Sequence, residues 1–215
     1  MNLLNILFED EDYVVVDKPS GLLTMPGRGP AAREKNLLAL LTQALKRPMF
    51  VVHRLDKDAS GLILFAKTAQ AHRYFSTLFE TKGIKKKYLV AVEGQVAPRR
   101  GEIDKPIKPY GSGRMGVGFD GKDSLTCYEV LEEYDRATLL EVRLITGRRH
   151  QIRVHMYYIK HPVIGDRLYG DQARQAAYPR LMLHSYSLEF ADPAGRKRTF
   201  KADPPKDFLN VLPFL

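Results

Sequence analysis

Met49-Phe50-Val51-Val52-His53-Arg54-Leu55-Asp56-Lys57-Asp58-Ala59-Ser60-Gly61-Leu62-Ile63-Leu64-Phe65-Ala66 is the stretch on which the reading of this chain turns. Two apolar runs, Met49 to Val52 and Leu62 to Ala66, have the length of buried strands. The loop between them carries His53, Arg54, Asp56, Lys57 and Asp58. A polar loop held by buried strands is where enzymes tend to place reacting groups, because the strands fix what the loop presents.

The two carboxylates allow two chemistries. In extended backbone Asp56 and Asp58 point to one side, as in a two-carboxylate glycosidase. Alternatively one carboxylate works or binds Arg54 while the other is solvated. His53 reads as a residue whose ring hydrogen-bonds to fix its own loop.

A second dense polar stretch is Thr146-Gly147-Arg148-Arg149-His150-Gln151-Ile152-Arg153-Val154-His155. It reads as the opening of a helix, whose free N–H groups and positive dipole end favour an anion. Arg148 and Arg149 would add phosphate contacts. Arg153 lies a turn further in, between Ile152 and Val154, and reads as partly buried. A buried guanidinium needs an anion, and either Asp56 or a local acid would serve. Tyr88 follows three lysines in a strand pattern. It is either packing or an aromatic platform with a phenol for proton transfer.

Outward from these stretches, Asn5 to Phe8 and Tyr13 to Asp17 read as strands around the acidic turn Glu9 to Asp12. Lys18-Pro19-Ser20-Gly21 breaks the second, and a loop with Pro26, Gly27, Gly29 and Pro30 follows. Leu37 to Leu45 and Ala69 to Thr81 have helical spacing, and Lys85 to Val92 is a strand. Glu102 to Tyr110 is extended and proline-interrupted, hence an edge or loop. Gly111-Ser112-Gly113-Arg114-Met115-Gly116 matches a nucleotide-loop pattern, but no strand precedes it and no helix follows. It reads as a flexible turn. Thr126 to Tyr134 and Thr138 to Leu144 form a hairpin turning at Asp135-Arg136. Arg149 to Lys160 is a helix capped by Thr146. Leu181 to Phe190 and Lys197 to Lys201 are strands, and a short helix lies near Phe208. Strands outnumber helices and many neighbours are hairpin-connected. The expected class is α+β: a mixed, largely antiparallel central sheet flanked by helices and loops, with the cleft across the sheet.

The 215 residues include 34 Lys+Arg against 25 Asp+Glu, a net charge of +9, which points to a polyanionic partner such as RNA or DNA. The single cysteine, Cys127, excludes an internal disulfide, fits a reducing cytoplasm and reads as packing. No apolar run reaches about 18 residues, so no membrane span is expected. The acidic start lacks the basic region of a signal peptide. His150, His155, His161 and His184 are joined by no cysteine pair and no H-E-x-x-H, so no metal is expected.

The stretches in this order resemble the RluA family of RNA pseudouridine synthases. Its H-R-L-D-x-x-T-S-G motif is similar to His53 through Gly61, with Ala59 where the family usually has Thr. Its K-x-Y-x-A pattern is similar to Lys86 through Ala91, with one extra residue before Ala91. Its T-G-R-x-H-Q-I-R-x-H motif is matched from Thr146 through His155. Val15 through Gly21, His161 through Asp166 and Arg180 through Ser185 resemble further signatures, the last usually ending in Ala rather than Ser185. The resemblance runs from residue 5 to about 190.

That resemblance implies a cytoplasmic RNA pseudouridine synthase of the α+β pseudouridine synthase fold, acting on a ribosomal or transfer RNA stem-loop without cofactor or metal. It implies one catalytic domain over 1–215, without the N-terminal S4-like RNA-binding domain of many relatives, and a monomer with no obligate protein partner. Asp56 would bond covalently to the ribose after glycosidic cleavage or to the pyrimidine ring. Tyr88 would stack on the flipped base and help remove the proton at carbon 5. Arg153 would pair with Asp56. Arg54 would fill the space left by the flipped nucleotide or hold a phosphate. Ile152 and Leu183 would line the base pocket, and His53, Arg148 and Arg149 would support RNA binding. The competing readings are an N-glycosidase that cuts the same bond without rejoining it, and an RNA-binding protein with a decayed site.

Overall fold

The computed structural model describes residues 4–27, 29, 33–111 and 113–215. The first three residues, Pro30 of the proline-glycine loop and Ser112 of the glycine-rich turn lie outside them. In chain order the strands are β1 (Asn5–Glu9), β2 (Tyr13–Lys18), β3 (Phe50–Val51), β4 (Ser60–Ala66), β5 (Lys85–Glu93), β6 (Arg100–Asp104), β7 (Ile107–Pro109), β8 (Met115–Val117), β9 (Leu125–Tyr134), β10 (Ala137–Leu144), β11 (Leu183–Ala191) and β12 (Lys197–Lys201). The helices are α1 (Leu37–Leu45), α2 (Ala69–Glu80), α3 (Gln151–Tyr158), α4 (Gln172–Gln175) and α5 (Lys206–Leu209). The chain divides into two compact units, residues 1–85 with 185–203 and residues 86–184 with 204–215.

In the first unit the strands run in the order β1-β2-β4-β11, with β3 added to β4 and β12 to β11. All seven residues of β4 are buried, as are Tyr13 to Val16 of β2. Both strands are apolar on both faces and therefore sit inside a sheet rather than at its edge. They pair antiparallel, Lys18 opposite Gly61. Helix α2 starts where Thr68 accepts from the Ala71 amide at 3.0 Å. Its buried face brings Ala71 and Phe75 onto the sheet. There the Tyr13, Phe75 and Phe190 rings meet edge-on, with centroids 5.1–5.7 Å apart. Helix α1 has the bounds its leucine spacing predicts, with Asn36 accepting from the Ala39 amide.

The second unit carries the antiparallel order β5-β10-β9-β6 and a separate β7-β8 pair. The β9-β10 hairpin turns at Asp135-Arg136 as expected. Phe208 of α5 is fully buried in a core with Ala91, Ile164, Met182 and Leu215. Strand pairing is mostly antiparallel and helices are few, as the sequence predicts. No helix among the described residues is long and apolar enough to cross a membrane.

The stretch 102–110 lies at an edge, as expected: β6 ends the sheet order, and β7 follows after Pro106, which has no N–H to continue a ladder. Other local expectations are corrected. The glycine-rich turn contains β8, which pairs with β7 and is too short to register as a periodic run. Helix α3 begins at Gln151, not Arg149, because His150 takes a left-handed φ of 55°. Thr146 does not cap it; the Thr146 hydroxyl donates to Gln151 Oε1 and accepts from the Leu125 amide.

Gly61 has a φ of +103°, and a Cβ there would stand 2.3 Å from the Ser185 carbonyl oxygen. Gly61→Ala is expected to cost about 2–5 kcal/mol, from an unfavourable backbone conformation and a forced shift of packed backbone. The Ser185 hydroxyl is buried without a hydrogen-bond partner. Ser185→Ala is expected to raise stability by about 1 kcal/mol. Urea midpoints at unchanged m-value measure both.

Candidate functional site

Asp56 is half-buried in the loop between β3 and β4, and the segment 18–24 fixes the residues around it. Thr24 Oγ1 donates to the Leu55 carbonyl and accepts from the Leu55 amide, at 3.0 and 3.2 Å. The Lys57 carbonyl accepts from the Gly21 amide at 2.9 Å and from Lys18 Nζ at 3.0 Å. Ser20 Oγ donates to the Asp58 carbonyl at 2.6 Å. Lys18 is fully buried, and its ammonium also donates to the Pro19 and Leu22 carbonyls. Its three protons thus meet three carbonyl oxygens, which is what makes a buried ammonium tolerable. Sequence reading treated Lys18-Pro19-Ser20-Gly21 as a strand break and as part of a stretch resembling a family signature, without assigning Lys18 a role. The signal it carried was a lysine ending an apolar strand and followed at once by Pro and Gly.

His53 behaves as its loop position suggests. Its Nε2 accepts from the Leu64 amide at 2.9 Å, which puts the neutral ring's proton on Nδ1, and the ring stacks on Phe79 at 4.5 Å. Arg54 and Asp58 are exposed. The two aspartates therefore differ in setting: Asp56 is half-buried within a fixed frame, and Asp58 faces solvent.

In the second unit, the polar residues of Thr146 to His155 form a directed hydrogen-bond chain. Thr146 Oγ1 donates to Gln151 Oε1 at 2.8 Å, and Gln151 Nε2 donates to Thr126 Oγ1 at 3.0 Å. Thr126 Oγ1 donates to His155 Nδ1 at 2.8 Å, and His155 Nε2 donates to the Lys105 carbonyl at 3.0 Å. Gln151 Oε1 also accepts from the Arg148 amide at 2.9 Å. Gln151 and His155 are buried at 2% and 0% exposure, so they are scaffold rather than contact surface. What they hold out are Arg148 and Arg149, both exposed and both in the loop before α3. The helix start predicted beneath these arginines is displaced past them.

Arg153 is buried, and its Nε and Nη2 donate to the two oxygens of the buried Asp166 at 2.7 and 2.8 Å. Asp166 Oδ1 also accepts from the Leu168 and Tyr169 amides. The Arg153 guanidinium lies over the Tyr169 ring at 5.1 Å, and Arg114 lies over the same ring at 5.6 Å. The Tyr169 hydroxyl bonds the Met115 amide and His150 Nδ1, each at 2.9 Å. Asp166 went unassigned in the sequence because its partner is 13 residues away.

Tyr88, Ile152 and Leu183 are buried, at 4–6% exposure. Tyr88 stands opposite Val142 in the β5-β10 ladder. Lys86, two residues before it, is buried, and burial lowers its pKa. Its Nζ lies where a Cβ on Gly147 would be 3.5 Å away, so that glycine gives the lysine room. Burial and the nearby Glu102 raise the Cys127 thiol pKa, the opposite of what a nucleophile needs. Among the described residues no group of three or more His, Cys, Asp or Glu side chains is arranged to hold a metal ion.

A family model described as RNA pseudouridylate synthase matches residues 12–158. The dual-specificity RNA pseudouridine synthase RluA of Escherichia coli is 39% identical, over 95% of this chain and 94% of its own length. The ribosomal large subunit pseudouridine synthase D of Nitrosomonas europaea is 37% identical over 97% of this chain, which spans 64% of that relative's length. Among solved structures, human RNA pseudouridylate synthase domain containing 4 superposes with a TM-score of 0.80 at 27% identity, covering 97% of this chain and 91% of that one.

The His155 link gives a pH signature. Burial holds its pKa below the ordinary histidine value, so below about pH 6.5 the unfolded chain takes up a proton that the folded chain refuses. Stability is therefore full above that pH and falls as the pH drops toward the lowered folded value, by at most about 1.4 kcal/mol per pH unit. Urea unfolding at neutral and mildly acidic pH should show this fall in the wild type and a smaller one in His155→Gln.

Proposed function

The chain belongs to the RNA pseudouridylate synthase family and is an RNA-modifying isomerase, and on that premise we propose that Asp56 is its nucleophile and a uridine in structured ribosomal or transfer RNA its substrate. The observation that supports Asp56 most directly is the frame around it. Residues 55, 57 and 58 are each hydrogen-bonded to segment 18–24, while the Asp56 side chain remains half-buried. A nucleophile held in one approach has its positional entropy removed before substrate arrives.

In the proposed reaction the carboxylate bonds to the ribose as the glycosidic bond to nitrogen breaks, or adds to the pyrimidine ring. The base then turns and rejoins through carbon 5, and the bond to the carboxylate breaks, returning Asp56 free. Loss of the proton from that carbon and gain of one on the ring nitrogen released from the ribose complete an isomerisation in which no atom is gained or lost overall. Tyr88 stacks on the base and assists that proton's removal. Arg153, braced by Asp166 and the Tyr169 ring, is assigned by the family motif to the cation that serves Asp56. Ile152 and Leu183 line the base's surroundings. Exposed Arg54 fills the gap left by the flipped nucleotide or takes a phosphate. Exposed Arg148 and Arg149 contact the backbone. The chain works as a cytoplasmic monomer.

Ribosomal RNA is named because one relative's name specifies the large ribosomal subunit, and transfer RNA because the family resemblance implies it. Asp56→Asn keeps the shape of the loop and removes the nucleophile. Pseudouridine formation should fall at least about a thousandfold, with RNA affinity within about threefold of wild type. Normal turnover in this variant would sink the assignment, and free uracil released by the wild type would mark a glycosidase instead.

A further inference from the structure

Tyr169 lies between α3 and α4, outside the stretches that resemble the family motifs. It is 4% exposed, and its two ends meet different parts of the second unit. The ring carries the Arg153 guanidinium, with Cζ 5.1 Å from the ring centroid. Asp166 takes Nε and Nη2 of that guanidinium at 2.7 and 2.8 Å, which fixes it within its own plane. A carboxylate in that plane does little to stop the group rocking out of it. The ring supplies the missing restraint, because an aromatic face attracts a cation held against it. The Tyr169 amide donates to Asp166 Oδ1 at 3.1 Å, so the two restraints are tied to each other.

The hydroxyl serves other elements. It accepts from the Met115 amide at the start of β8 and meets His150 Nδ1, each at 2.9 Å. Met115 and Val117 of β8 pack on the small core of Ile107, Val154 and Tyr169. His150 closes the turn that carries Arg148 and Arg149, and its own backbone is left-handed at φ 55°. A residue in that conformation persists only where its surroundings hold it, and the Tyr169 hydroxyl is one of the groups that do.

We propose that Tyr169 is a positioning residue with two separable duties. Its ring aligns Arg153 for the chemical step, and its hydroxyl holds β8 and the turn of Arg148 and Arg149 in the form that receives RNA. The proposal rests on the reading above for the roles of Arg153 and of the two exposed arginines. It goes beyond that reading in naming Tyr169, and in assigning its ring to rate and its hydroxyl to affinity.

Steady-state pseudouridine formation on a substrate RNA separates the two duties. Tyr169→Phe keeps the ring and removes the hydroxyl. It should raise KM roughly fivefold and leave kcat within about twofold of the wild type. Tyr169→Leu removes both. It should raise KM about as much and also lower kcat about tenfold. In an Arg153→Lys background no planar guanidinium is left to align, so adding Tyr169→Leu should lower kcat little further. The proposal is overturned by an unchanged KM in Tyr169→Phe, by an equal fall in kcat in Tyr169→Phe and Tyr169→Leu, or by the full kcat loss persisting in the Arg153→Lys background. A role in packing alone would lower the urea midpoint without dividing KM from kcat. Should Tyr169→Leu prove unfolded, Tyr169→Met fills the space without a ring and takes its place. An Arg153→Lys enzyme as fast as the wild type would refute the role of Arg153, and the ring's duty with it. A wild type that neither binds nor modifies RNA would refute the RNA reading itself, so the failures are distinguishable.

Discussion

The ammonium of Lys18 is buried beside the loop it organises, with three carbonyl oxygens around it. A charge in that position is unfavourable unless every proton is taken, so the chain on either side must supply acceptors. Pro19 and Leu22 supply two, and a turn led by Gly21 brings them into range. Lys57 supplies the third from the other segment. The condition that satisfies the lysine therefore also fixes the residue next to Asp56. Thr24 and Ser20 repeat the device on Leu55 and Asp58 with hydroxyls. A short polar loop is thereby tied by hydrogen bonds at Leu55, Lys57 and Asp58.

The second unit reaches the same end with different groups. Its candidate site residues are arginines and an aromatic ring, and buried polar residues hold the arginines in place. Asp166 receives Arg153 through both carboxylate oxygens and two backbone amides, an arrangement that repays the burial of both charges. Gln151 and His155 shape the turn carrying Arg148 and Arg149.

Legibility in the sequence followed the range of the forces involved. Helix α1 and strands β2 and β4 were readable because their apolar spacing is local and unambiguous. That one of the two loop carboxylates is solvated was among the readings the sequence allowed, but which one was not. Lys18 was missed because a lysine at a strand end ordinarily reaches water. Its burial depends on carbonyls up to 39 residues away. The Thr146 cap failed for a related reason: threonine before a helix looks like a cap until the Leu125 amide claims its oxygen from another strand. The short β8 depends on pairing with β7 rather than on any pattern of its own.

The chain from Thr146 through Gln151, Thr126 and His155 to Lys105 has one sense throughout, each link donating to the next. Its members are therefore not independent letters. Valine in place of Thr126 would strand the His155 ring nitrogen and one Gln151 amide proton together, the other keeping the Leu125 carbonyl, and reversing one link would require reversing its neighbours. Drift at these positions is confined to coordinated changes, so they should vary in sets or stay put. The exposed Arg148 and Arg149 beside them are under no such constraint and can change one at a time.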